Sequence, residues 1–231
     1  MDQTIQIQTS AKKANLFGAT GLVGTYCLQE LLGHPAYHSV TCFYRSEVPS
    51  IEDPNFIGHQ VDFEDMGSWA TLIEGHDLFI CLGTTLKKAG SKNAFYHIEY
   101  EYITKIATIA EVNGIRQIFI VSAPGADSRG YLFYNQIKGM IEDKVKRMDF
   151  WSIHFLRPSV LLGSREEARP FEDLAAGAGL ALKLISPKLF SNITPIEGHK
   201  VARCMVKVAQ STRSGVFYYP SSVIARLGKK D

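Results

Sequence analysis

The sequence predicts one α/β domain built on a doubly wound parallel sheet, on the strength of three observations. Short apolar runs alternate with longer amphipathic stretches, the order that successive strand–helix–strand units produce. The runs are near-continuously apolar rather than alternating, which suits strands covered by helices on both faces. Three glycines, Gly18, Gly21 and Gly24, fall where the first run gives way to the first amphipathic stretch.

Taken in order, "ANLFG" (14–18) reads as the first strand and "LVGTYCLQELLG" (22–33) as a helix ended by Gly33. "SVTCFY" (39–44) and "FIGHQVDF" (56–63) are the second and third strands, a short helix fits 66–74, and "DLFICLG" (77–83) is the fourth strand. One long helix is expected over 91–112, with Ile98, Tyr102, Ile106 and Ile109 along one stripe and Gly114 as its stop. "IRQIFIVSA" (115–123) is the fifth strand, 131–148 a helix and "DFWSIHFLRP" (149–158) the sixth strand. A helix (196–210) and a strand (215–219) follow. The first dozen residues read as a frayed lead-in. Residues 159–231 are too few for a core of their own, so they read as a substrate-covering extension of a single domain spanning 1–231. The charged patch Arg165, Glu166, Glu167 and Arg169 suits a lid over the substrate.

Composition narrows the classes. Apolar residues make up 45% and charged residues 21% of the 231, ordinary for a globular protein with a core. A net charge of +2 leaves no electrostatic footprint for nucleic acid. No apolar run reaches the length of a membrane span, and the N-terminus lacks the apolar stretch of a signal peptide. Cys27, Cys42, Cys81 and Cys204 lie far apart with no CxxC pair. They read as buried thiols in a reducing cytosol, Cys81 as core packing, rather than disulfides or a zinc site. Pro35 between His34 and His38 argues against a helical metal face, so no metal is expected and the placement expected is cytoplasmic.

The glycines carry the first chemistry. Gly18 suits a tight turn, Gly21 the approach of a pyrophosphate to the backbone, and Gly24 close packing of the helix on the sheet. The helix N-terminus then aims amide hydrogens and the positive end of its dipole at the phosphates. The second strand ends "CFYRSE", with the acid delayed to Glu47 and Arg45 in its place. A guanidinium grips a 2′-phosphate that a carboxylate would repel. NADP(H) is therefore the preferred cofactor, with NAD(H) as the alternative.

Tyr134 and Lys138 carry the second. They stand one helical turn apart and share a face. Ser122 closes the fifth strand, at the carboxyl edge where open α/β sheets bind ligands. The ammonium favours the tyrosinate electrostatically, which fits the phenol to give a proton to a carbonyl oxygen while hydride attacks its carbon. Ser122 is expected to donate a hydrogen bond to that oxygen.

Together these motifs resemble the short-chain dehydrogenase/reductase superfamily, with its Rossmann fold, in its atypical and extended branches. "VDFED" (61–65), "GHDLFICLGTTLKKAGS" (75–91), "VSAPGAD" (121–127), "FYNQIKG" (133–139) and "FLRPSVLLG" (155–163) are similar to the Tat-interacting-protein oxidoreductases, in the same order over nearly the whole chain. The resemblance implies that Gly18, Thr20, Gly21, Leu22 and Val23 line the pyrophosphate, that Arg45 meets the 2′-phosphate, and that Asp62 and Phe63 flank the adenine. Leu82, Gly83 and Thr84 would run beside the nicotinamide-side ribose, which Lys138 hydrogen-bonds beside Tyr134. Pro158 and Val160 would border the nicotinamide. Two positions depart from the pattern: Ser46 stands where a second basic residue is expected, and Glu99 where an aspartate is expected. From the residues alone, Asp62 reads equally well as a turn-forming acid.

The function expected is an NADP(H)-dependent oxidoreductase of carbonyl reductase or alcohol dehydrogenase type, acting on a small carbonyl or alcohol substrate. An NADPH-sensing regulatory protein without turnover and a nucleotide-sugar epimerase stay open. The retained Tyr/Lys pair speaks against the first and the short substrate segment against the second. By analogy, the long helices offer surfaces for a homo-oligomer.

Overall fold

A computed structural model describes residues 11–162 and 195–230. Its strands are β1 (Lys12–Phe17), β2 (Tyr37–Tyr44), β3 (Phe56–Gln60), β4 (Asp77–Ile80), β5 (Gln117–Val121), β6 (Ser152–Arg157), β7 (Leu161–Leu162), β8 (Ile196–Glu197) and β9 (Gly215–Pro220). Seven of them form one sheet in the order β3-β2-β1-β4-β5-β6-β9, every neighbouring pair parallel. This is a Rossmann-type doubly wound sheet. Its order reverses between β1 and β4, which opens a crevice at their carboxyl ends.

Helices cover both faces: α1 (Leu22–Leu32), α2 (Leu86–Ala89), α3 (Lys92–Tyr96), α4 (Tyr102–Val112), α5 (Phe133–Val145), α6 (Gly198–Val208) and α7 (Ser221–Leu227). Successive strand residues point to opposite layers, which explains the unbroken apolar runs. In β1, Leu16 joins the layer of α1 and α6 with Val23, Leu31, Val201 and Met205. Phe17 joins the layer of α4 and α5 with Ile103, Ile106, Ile137 and Ile141. An aromatic ladder crosses four strands in register, Phe79 to Phe119 to His154 to Phe217, with ring centroids 4.7, 4.5 and 5.2 Å apart. His154 is buried in it, its ring nitrogens 2.6 Å from Ser152 Oγ and 2.9 Å from the Tyr219 hydroxyl.

Several expectations need correction. The helix expected over 91–112 is three pieces: α3, a π turn at His97–Glu101, and α4. The wider i→i+5 turn keeps Phe95, Glu99 and Ile103, each four residues on from the last, among the buried residues. The third and fourth strands end early, at Gln60 and Ile80, with one last bond each to the neighbouring strand, Val61 N–H to the Tyr44 oxygen and Cys81 N–H to the Phe17 oxygen, both at 2.8 Å. The helix expected at 66–74 is a 3₁₀ turn, Met66–Leu72. Helix α7 was not expected. The C-terminal segment is part of the main body: α6 packs into the main core and β9 extends the main sheet. The first residues of the lead-in and the charged patch Arg165–Arg169 lie outside the described residues.

Candidate active site

The chain leaves β1 through Gly18, whose φ of +85° lies in the left-handed region that glycine adopts without strain. A Cβ there would sit 2.6 Å from the carbonyl carbon and oxygen of Cys81, just beyond β4. A Cβ on Gly24 would sit 1.9 Å from the Gly18 oxygen, so only glycine lets α1 start this close to the turn. Gly21 is the N-cap of α1, its N–H donating to the Gly18 oxygen at 2.9 Å. Thr25 ties the turn from within, its hydroxyl donating to the carbonyls of Ala19 (3.0 Å) and Gly21 (2.9 Å).

Over this turn lies a cleft of about 480 Å³. Gly18, Thr20, Gly21 and Leu22 line it from the turn, Leu82, Gly83 and Thr84 from the loop after β4, and Arg45 and Phe63 from the ends of β2 and β3. Several residues expected at the cofactor lie off the cleft. Val23 points into the core. Asp62 does not line the cleft; its Oδ1 accepts the Glu64 N–H at 2.8 Å and its carbonyl the Trp69 indole N–H at 2.7 Å, the bonding of a turn-forming acid. Pro158 and Val160 follow the carboxyl end of β6 but lie off the cleft, where Leu161 contributes instead.

Sequence reasoning missed part of the wall. Cys81 packs against the core as expected, its Sγ 3.9 Å from Met205 Sδ, and it also borders the cleft. Ser46, Thr85 and Lys88 line it too. Ile98 and Tyr102 form the first half of the expected helix stripe; they face the cleft, whereas Ile106 is in the core. Tyr102 stacks near Phe63 (5.3 Å between centroids) and its hydroxyl donates to Glu64. His97 bridges Glu64 (2.9 Å) and Glu101 (2.5 Å), and these two carboxylates hold its pKa above the ordinary histidine value.

Ser122 follows the carboxyl end of β5, and Tyr134 and Lys138 stand one turn apart on α5. Gly139 brings α5 close: a Cβ on it would lie 2.1 Å from the Ser128 nitrogen, so the loop after Ser122 lies directly on the helix. Tyr134 is half-buried against Phe95, with ring centroids 6.0 Å apart. Lys138 is buried; its Nζ lies 6.0 Å from the Tyr134 ring centroid, donates to the Val121 carbonyl at 3.3 Å and pairs with Glu99 Oε2 at 2.6 Å. The other Glu99 oxygen accepts the Thr84 N–H at 2.5 Å. Lys138 is thereby joined to the cleft, since Thr84 lines it.

The Ser122 hydroxyl donates to Glu142 Oε1 at 2.5 Å, and Glu142 is held in turn by Arg157 through Nε (3.0 Å) and Nη2. A hydroxyl has one proton, so in this arrangement that proton is engaged by Glu142.

A parallel sheet with a glycine turn at its reversal point, and a cleft above that turn, defines a dinucleotide-binding Rossmann-type protein. The chain belongs to the NAD(P)H-binding family, which matches residues 18–151. It is similar to protein HTATIP2 of Rattus norvegicus, 36% identical over 167 residues, which are 71% of this chain and 69% of that protein. It is also similar to FMP52-1 of Scheffersomyces stipitis, 30% identical over 230 residues, 94% of this chain and 99% of that protein. Among solved structures, the UDP-N-acetylglucosamine 4-epimerase of Methanobrevibacter ruminantium M1 superposes with a TM-score of 0.66 at 15% identity, over 90% of this chain and 76% of that chain, a likeness of fold. FMP52 proteins are named mitochondrial, which overturns the cytoplasmic placement expected from the thiols. Buried thiols point to a reducing compartment without saying which one.

Proposed function

We propose that the chain is an NADP(H)-dependent oxidoreductase of carbonyl reductase or alcohol dehydrogenase type, acting on a small carbonyl or alcohol substrate. One observation carries the reading: Thr84, Glu99 and Lys138 run as a continuous hydrogen-bonded and ion-paired path from the dinucleotide cleft to Tyr134's helix. A binding module has no need to tie a buried lysine beside a half-buried phenol to its cofactor loop.

The cleft suits a dinucleotide, because glycine at 18 and 24 lets the turn, the loop after β4 and α1 meet backbone to backbone, with the N-cap of α1, Gly21, on the cleft wall. Gly18, Thr20, Gly21 and Leu22 would hold the pyrophosphate, and Leu82, Gly83 and Thr84 the ribose beyond it. Arg45 lines the cleft at the end of β2, and a cation there favours a 2′-phosphate. A bound nicotinamide would supply or accept hydride. In reduction, the Tyr134 phenol releases its proton to the substrate oxygen and Lys138 steadies the tyrosinate that remains. The FMP52 relatives favour a mitochondrial location for this chain.

The test is NADPH oxidation with a panel of aldehydes and ketones, in the wild type and in Tyr134→Phe. Loss of the general acid is expected to lower kcat about 10²–10⁴-fold while NADPH affinity stays near that of the wild type. Full turnover by Tyr134→Phe would remove the phenol from the mechanism.

A further inference from the structure

Glu99 is 1% exposed and Lys138 4%, so each buries a formal charge that the other balances. The two carboxylate oxygens divide the contacts between them, Oε2 holding the Lys138 ammonium at 2.6 Å and Oε1 taking the Thr84 N–H at 2.5 Å. The other charges near this pair are engaged elsewhere. Glu142, one turn along α5, is paired with Arg157. Lys92 from α3 lies over the Phe133 ring at 5.3 Å. On the π turn, His97 binds both Glu101 and Glu64, while Tyr100 stacks on Tyr96.

We propose that Glu99 is a positioning residue: it moderates the charge that Lys138 presents to Tyr134 and couples that charge to the cofactor-facing loop at Thr84. This rests on reading Tyr134 and Lys138 as the proton source. A bare ammonium would pull hard toward the tyrosinate. With a carboxylate paired to it, the lysine acts on the phenol as half of a neutral pair and its pull on a tyrosinate is weaker. The same carboxylate fixes the Thr84 peptide, so a shift of the lysine reaches the cleft through one side chain. An aspartate is one methylene shorter and cannot span both partners from this backbone position.

Two measurements without turnover test this. Tyrosinate formation is followed by ultraviolet difference titration of the unliganded protein, with the Tyr134→Phe curve subtracted to isolate residue 134. NADPH dissociation is measured by calorimetry. Glu99→Gln keeps the shape and removes the charge; the titration of residue 134 is expected to move down by about one pH unit, the effect of one unit charge just beyond the lysine at an effective dielectric of about 20. Glu99→Asp keeps the charge and loses the reach; its titration is expected within about 0.3 unit of the wild type, while NADPH binds about tenfold more weakly. An unmoved titration in Glu99→Gln overturns the charge role, and wild-type NADPH affinity in Glu99→Asp overturns the coupling to Thr84. Should Glu99→Gln not fold, the Asp variant still decides the coupling, and Glu99→Gln combined with Lys138→Met, a neutral pair, decides the charge role: its residue 134 titration should match that of Lys138→Gln/Glu99→Leu and differ from the wild type by less than about 0.5 unit. A fully active Tyr134→Phe sinks the proton-source reading by itself and leaves the titration result standing as a fact about the pair.

Discussion

Acidification should weaken the fold through the aromatic ladder at the centre of the sheet. His154 is 1% exposed, stacked between Phe119 and Phe217, and its burial, with Arg213 nearby, pushes its pKa from 6.5 down to about 4. The folded value lies below the unfolded one. Between the two, the unfolded chain binds a proton that the native chain does not, so stability is intact above about pH 6.5 and drains away as pH falls toward about 4. The full gap corresponds to on the order of 3 kcal/mol, and the part crossed between about pH 7 and about pH 4.5 to about 2 kcal/mol. Urea denaturation at both pH values, on the wild type and on His154→Phe, isolates the contribution. The phenylalanine keeps the stack and cannot titrate. It also breaks the contacts to Ser152 and Tyr219, but that loss is the same at both pH values. The wild type should lose about 2 kcal/mol more than the variant on acidification. Equal losses would show that the imidazole is not held neutral by the fold.

Two further outcomes test the cleft. Gly24→Ala places a methyl 1.9 Å from a backbone oxygen that has no rotamer to yield, so α1 must lift from the turn. Destabilisation of about 3 kcal/mol and loss of measurable NADPH binding are expected by denaturation and calorimetry, and a variant that melts and binds like the wild type would refute the close packing. Arg45→Ala should weaken NADPH about 10- to 100-fold, the worth of a charge-assisted hydrogen bond to phosphate, and leave NADH unchanged. Equal weakening of both cofactors would take Arg45 away from the 2′-phosphate.

The sheet was legible because both of its faces are covered: strands such as "FIVSA" and "DLFIC" carry apolar residues at nearly every position, and only a parallel sheet between helices uses them all. The glycine turn was legible because its residues are required by atoms local in sequence, as Gly24 against Gly18 shows. What sequence could not show was how distant polar groups pair. Glu99, Lys138 and Thr84 meet from three separate elements, and Glu142 claims the Ser122 proton from α5 while Arg157 holds it from β6. The π turn was hidden for a related reason. An apolar stripe at helical spacing looks the same whether it faces a core or a cleft, and here Ile98 and Tyr102 face the cleft.

The contact between Gly18 and Cys81 makes the two ends of the cleft mechanically unequal. Turn and fourth-strand loop touch backbone to backbone, so the phosphate socket behaves as one stiff body. The opposite rim, near Arg45, leans on Glu64, His97 and Tyr102, side chains partly open to water and able to rearrange. Side chains at that rim therefore have room to change without disturbing the turn, so the two ends of the cleft answer differently to substitution.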